Sequence, residues 1–184
     1  DHLEQSASTK IGREAVERLC EAARLSVEKL SDAPRAVGLL QRARTWGEPD
    51  AATVLLYVDA LAAAGRMPEA FEELERRLEQ PVDKARQLAE GERGVLYRVR
   101  ARLHRALNEH AGEVLSLELA WSSNLPEARE ELIDALGRQR RTLAGRDPDG
   151  ERRATLRLVE IVESSGDYQR ARELLQEQLQ RSPR

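Results

Sequence analysis

The sequence predicts an all-α fold: about nine helices, paired as antiparallel hairpins that stack into an α-solenoid. Three observations carry that expectation. Ala, Leu, Glu and Arg dominate the 184 residues, and these are among the strongest helix formers. Helix-stopping and helix-starting residues follow one another at short intervals along the chain. One kind of turn also recurs, as SDAPRA (31–36), GRMPEA (65–70), SNLPEA (123–128) and GDYQRA (166–171). Ala36 and Ala70 are 34 residues apart, a period at which helical repeats stack.

Each element has a local cause. Val16, Leu19, Cys20, Ala23 and Val27 share one helical face and predict a first helix over 10–30. Ser31 or Asp32 caps the next, 33–46, with Pro34 in its first turn. Gly47 and Pro49 separate it from 49–64; Gly65 and Pro68 introduce 68–80, which Pro81 ends. Residues 82–90 form a short helix or a loop. Gly91 and Gly94 mark the start of 92–108, and Asn108 to Gly112 divides it from 110–122. Asn124 and Pro126 open 126–143, Asp147-Pro148 opens 148–165, and Gly166-Asp167 opens 168–181. Loops this short make neighbouring helices antiparallel. Each recurring turn also sets an Ala on the inward side of the following helix, where a one-carbon side chain lets two backbones approach.

PEAFEEL (68–74) and PEAREEL (126–132) repeat the same phrase. With the turns, they resemble the tetratricopeptide (TPR) repeat family, whose unit is a helical hairpin with large and small residues at fixed slots. In the last unit the slots hold Thr155, Leu158, Val159, Val162, Ala171, Leu175 and Pro183, with Gly166 and Tyr168 at the bend. In the second they hold Val54, Tyr57, Val58, Leu61, Ala70 and Leu74, with Pro81 one residue early; in the first, Cys20, Ala23, Arg24, Val27, Ala36 and Leu40, with Pro49 one residue late. Arg24 stands where the family has a small residue. The resemblance implies one right-handed TPR-like domain over 1–184, with clearer repeats near 17–50, 51–84 and 152–184 and an irregular stretch at 85–151. Ala70 to Ala128 is 58 residues and Ala128 to Ala171 is 43, so the period breaks there. Helix 110–122 pairs either with 126–143 or with 92–108.

Composition narrows the function. Net charge is −3, against the net basic surface of a general nucleic-acid binder. The most apolar stretch, Ala51–Ala64, is too short to span a bilayer and is interrupted by Asp59. One cysteine, Cys20, gives no disulfide within the chain. A first residue of Asp1 rather than Met predicts a piece of a longer protein, and no signal peptide is recognisable.

Few residues carry chemistry. His104 and His110 are six apart, not at the spacing that puts two imidazoles on one face, so no zinc site and no cofactor is expected. Cys20 falls on an apolar face with no base beside it, which predicts a packing residue. Glu69, Glu72, Glu73, Glu75 and Glu79 lie beside Arg76 and Arg77 and read as a solvent face with surface pairs. Tyr57, Phe71 and Tyr168 take core slots, while Trp46 and Trp121 either plug gaps between units or stand on a binding surface. No phosphate loop or nucleophile elbow is present, so no enzyme activity is expected of this segment.

One surface stands out. Arg98, Arg102 and Arg105, at i, i+4 and i+7, share a helical face, as do Arg153 and Arg157. Either these are solvated faces balanced by Glu, or they wall a site for carboxylate-rich or phosphorylated partners. The resemblance implies the latter geometry for Arg153 and Arg157, because first helices of TPR hairpins line the concave groove. It implies a non-catalytic protein–protein interaction scaffold that holds another protein or an acidic peptide. An assembly module that self-associates or joins a bacterial envelope or secretion complex, or a recruiting domain of a larger enzyme, are the alternatives. Arrays of this family work in both cytoplasm and periplasm.

Overall fold

In a computed structural model the described residues are 2–46, 50–79 and 90–181, of which 2–11, 90 and 181 are described by backbone alone. Pro49, Pro81, Pro183 and all but the last residue of 82–90 lie outside them. Nine α-helices and no strands occur among the described residues: α1 (His2–Glu28), α2 (Ala33–Arg44), α3 (Ala51–Ala63), α4 (Met67–Glu79), α5 (Glu90–Ala106), α6 (His110–Ser122), α7 (Ala128–Leu143), α8 (Pro148–Glu163) and α9 (Tyr168–Arg181). The chain divides into two compact units, Asp1–Gln87 with α1–α4 and Leu88–Arg184 with α5–α9. Within each unit every helix packs on the next, and α1 also touches α3.

The turns are built from local chemistry. Gly65, Asn108, Asn124 and Gly166 each adopt a positive φ, and the following N–H bonds back to the carbonyl five residues earlier. That is the left-handed helix stop in which orphan carbonyls find donors. Ser31 does the same work with φ 53°, its neighbour Asp32 bonding back to Ser26. Asp32, Asp50, Asp147 and Asp167 then accept from the backbone N–H three residues on, at 2.8–3.1 Å, and so cap the starts of α2, α3, α8 and α9. Helix α7 begins at Ala128 rather than 126, because Ala128 and Arg129 close tighter three-residue turns onto Leu125 and Pro126.

The four recurring alanines, Ala36, Ala70, Ala128 and Ala171, are at most 1% exposed. Around them lie Val54, Tyr57, Val58, Leu61 and Leu74 in the first unit, and Leu132, Leu136, Leu158, Val159 and Val162 in the second. Gly94 and Gly112 are not helix ends. They sit inside α5 and α6, where a Cβ on Gly94 would stand 2.8 Å from the Leu125 Cβ and one on Gly112 would strike the His104 ring. Their missing side chains bring α5 and α6 into close approach. Helix α6 packs on both α5 and α7.

Alternate helices are tied by arginine–carboxylate pairs. Arg44 of α2 donates to Glu73 of α4 at 2.9 Å, Arg98 of α5 to Glu131 of α7 at 2.7 Å, Arg157 of α8 to Glu118 of α6 at 2.7 Å, and Arg140 of α7 to Glu177 of α9 at 2.8 Å. Glu73, expected on a solvent face, is therefore buried between Arg44 and Arg76. The expected core slots of Tyr168 and Leu175 are exposed, Tyr168 at 70%. Both lie on the outward side of α9, with no helix of this unit beyond it among the described residues.

Candidate functional site

The five arginines singled out by sequence fall in two places. Arg98, Arg102 and Arg105 lie on the side of α5 that faces α7. Arg98 is bound to Glu131, and Arg102 and Arg105 border a cleft of about 40 Å³ that Glu131, Asp134 and Arg138 also line. At its base Arg138 donates to the buried Glu113 at 2.6 Å. Carboxylates thus interleave with guanidiniums along this seam, and much of its charge is spent between helices.

Arg153 and Arg157 project from α8 into a different cleft, of about 300 Å³, between α8 and α6. Its floor is mostly apolar: Val114 of α6, Leu136 and Leu143 of α7, and Ala154, with Gln139 of α7 among them. Arg157 is held from two sides, its Nε donating to Glu118 and its Nη1 to Glu160 at 2.9 Å, and these carboxylates, Glu160 foremost, raise its pKa above the ordinary arginine range. Arg153 has a side chain 75% exposed, and its ion-pair partner, Asp147, stands 4.0 Å away. Asp147 is also engaged in capping α8. Of the two arginines in this cleft, Arg153 is the more open, Arg157 having a side chain 44% exposed.

A further opening was not foreseen. A groove of about 820 Å³ runs between α1 and α3, closed behind by the end of α2. Cys20, a free thiol, lies buried in its wall with Sγ 3.6 Å from the Thr53 hydroxyl, the packing role expected of it. Trp46 lines the groove while 58% exposed, and Leu25 is exposed beside it. Gly12 faces the indole, where a Cβ would lie 3.7 Å from Cε3. Trp46 was legible only as an aromatic at a helix end; which side it takes depends on where α1 packs. Trp121, by contrast, is half-buried against the core of the second unit.

The Asp50 carboxylate at the groove's edge accepts from the Thr53 side chain and N–H, and these bonds hold its pKa below the ordinary 3.8, with Arg24 and Arg77 assisting. His104 Nδ1 lies 2.7 Å from Glu109, and His110 Nδ1 3.8 Å from Glu113. Among the described residues no group of three His, Cys, Asp or Glu is placed to hold a metal ion. None of the described helices is long and apolar enough to cross a membrane. No family model matches the chain, and no curated protein is significantly similar to it.

Proposed function

We propose that this chain is a non-catalytic interaction scaffold, a right-handed TPR-like stack of hairpins whose clefts hold segments of a partner protein. The observation that carries the reading is the pair of open clefts. One lies between α1 and α3 and the other between α6 and α8, each backed by the helix in between. Hairpins stacked at a regular spacing produce such clefts between successive first helices. The buried alanines at the turns and the ion pairs joining alternate helices support the stacking. A cleft with an apolar floor and a few placed charges is the usual form of a recognition site.

In the second unit, an acidic segment is the partner that Arg153 suits, since an exposed guanidinium over a mostly apolar floor offers bidentate hydrogen bonds to a carboxylate. Capture from an extract of the source organism, with wild type compared to Arg153→Glu and quantified by mass spectrometry, tests this. A partner retained by wild type and lost by Arg153→Glu, with unchanged circular dichroism, is the expected result. Equal retention by both removes this cleft from consideration.

One observation favours a second reading, self-assembly. Tyr168, Leu175 and Leu179, at i, i+7 and i+11, stand exposed along one face of α9, Leu179 at 73%. A solution mass that rises with concentration in wild type, and stays monomeric in Leu179→Glu, would move assembly ahead of ligand holding.

A further inference from the structure

We propose that the groove between α1 and α3 takes a cationic partner segment built around an apolar anchor, so that the two clefts of this chain select opposite charges. This rests on the scaffold reading and names the occupant of one of its clefts. The groove's volume, about 820 Å³, accommodates several side chains. Val16, Cys20 and Ala43 supply apolar wall, and Trp46 and Leu25 leave apolar surface open to it.

The charges decide what that surface suits. Glu17, Glu21, Glu28 and Asp50 line the groove against Arg13 and Arg24, four carboxylates to two guanidiniums. Arg13 is 3.5 Å from Glu17, whereas among the described residues neither Glu21 nor Glu28 stands in an ion pair. Seven residues apart, these two share a face of α1, about 10 Å apart along its axis.

Glu28 is also the last residue of α1, and the last turn of that helix contains no basic residue. Lys29 follows beyond the helix and does not line the groove. A carboxylate at the negative end of a helix dipole is an unfavourable local choice, and a bound cation relieves it. The exposed indole of Trp46 adds a face on which Arg or Lys can stack. Carboxylates at one edge, an aromatic face and an apolar wall together fit a segment with Arg or Lys flanking a large apolar residue. An acidic segment would be repelled there.

The groove contains its own reporter. In a Trp121→Phe background Trp46 is the sole tryptophan, and its emission follows occupancy. The probes are an 18-residue amphipathic helix of Leu and Lys and its counterpart with Glu in place of Lys. The Leu/Lys peptide is expected to shift Trp46 emission to the blue. Replacing Glu21→Lys and Glu28→Lys together is expected to weaken it about tenfold, as loss of two modest ion pairs gives. Glu130→Lys with Glu163→Lys, on exposed positions of the second unit, makes the same change in net charge and is expected to leave affinity within about twofold. Equal weakening by both pairs of substitutions overturns the proposal, because the attraction would then be general. A Trp46 shift with the Leu/Glu peptide alone overturns the charge assignment and leaves the scaffold reading standing. Silence with both peptides overturns the proposal for this groove; the scaffold reading is judged separately by the Arg153→Glu capture.

Discussion

Gly94→Ala tests whether close approach of α5 and α6 is what the glycine provides. In a helix interior Ala is favoured over Gly by about 1 kcal/mol, so propensity alone predicts stabilisation. The structure predicts the reverse. The added Cβ would lie 2.8 Å from the Leu125 Cβ and 3.2 Å from the Ala120 and Ser123 carbonyl oxygens. Two of these three neighbours are backbone, which cannot rotate away, so the helices must separate at that point. Overpacking of this kind costs about 1–3 kcal/mol. Gly137→Ala, in α7 of the same unit, is the control: its Cβ meets the end of the Arg141 side chain at 3.7 Å, an ordinary contact with a flexible group. Both substitutions gain the same propensity, so their difference isolates the clash. Urea unfolding followed by circular dichroism should place Gly94→Ala below Gly137→Ala by about 1–3 kcal/mol. On a thermal scan that difference is at least about 2–4 °C for a chain of this size. Equal or greater stability of Gly94→Ala would refute the close-approach argument.

The remaining expectations use the same measurements. Ala70→Leu puts three extra carbons at a position with 0% exposure and should destabilise by about 1–3 kcal/mol, whereas Ala52→Leu, at an exposed position of α3, should be near neutral. Glu73→Gln removes a buried carboxylate from between Arg44 and Arg76; because both arginines reach solvent, the loss should be about 1–3 kcal/mol rather than that of a fully buried pair. A double change with Arg44→Met should recover part of it. Asp50→Ala removes the cap of α3 and should cost about 1 kcal/mol at neutral pH. The folded Asp50 carboxyl has a depressed pKa, so the wild-type advantage is present in full above the ordinary value of 3.8 and is lost as pH falls through the folded value. Stability curves of the two proteins that stay parallel down to strongly acid pH would contradict that assignment.

Helix positions were legible because their signals are local. Asp32, Asp50, Asp147 and Asp167 cap within three residues of themselves, and Gly65, Asn124 and Gly166 need only their own φ to stop a helix. The buried alanines at 36, 70, 128 and 171 were legible too, since each follows the same kind of turn and falls on the inward side of the helix that the turn opens. Burial at Val54, Val58 and Leu61 follows from helical spacing alone.

What the sequence could not state is which face meets which neighbour. Glu73 looks like its solvated neighbours until Arg44, 29 residues away, is brought over it. Gly94 reads as the mark of a helix start until the end of α6 is seen lying against it. Helical spacing put Arg98, Arg102 and Arg105 on one face and Arg153 and Arg157 on another without saying whether the two meet; three face α7 and two face the α6/α8 cleft, a division set by helix pairing. Trp46 and Tyr168 carry the same apolar signal as Tyr57, yet Tyr57 is covered by neighbouring helices and the other two are not. Periodicity specifies the inward face of each helix through local geometry. The pairing of those faces, and so the clefts and the charges left unspent in them, is a long-range matter that only the packed structure decides.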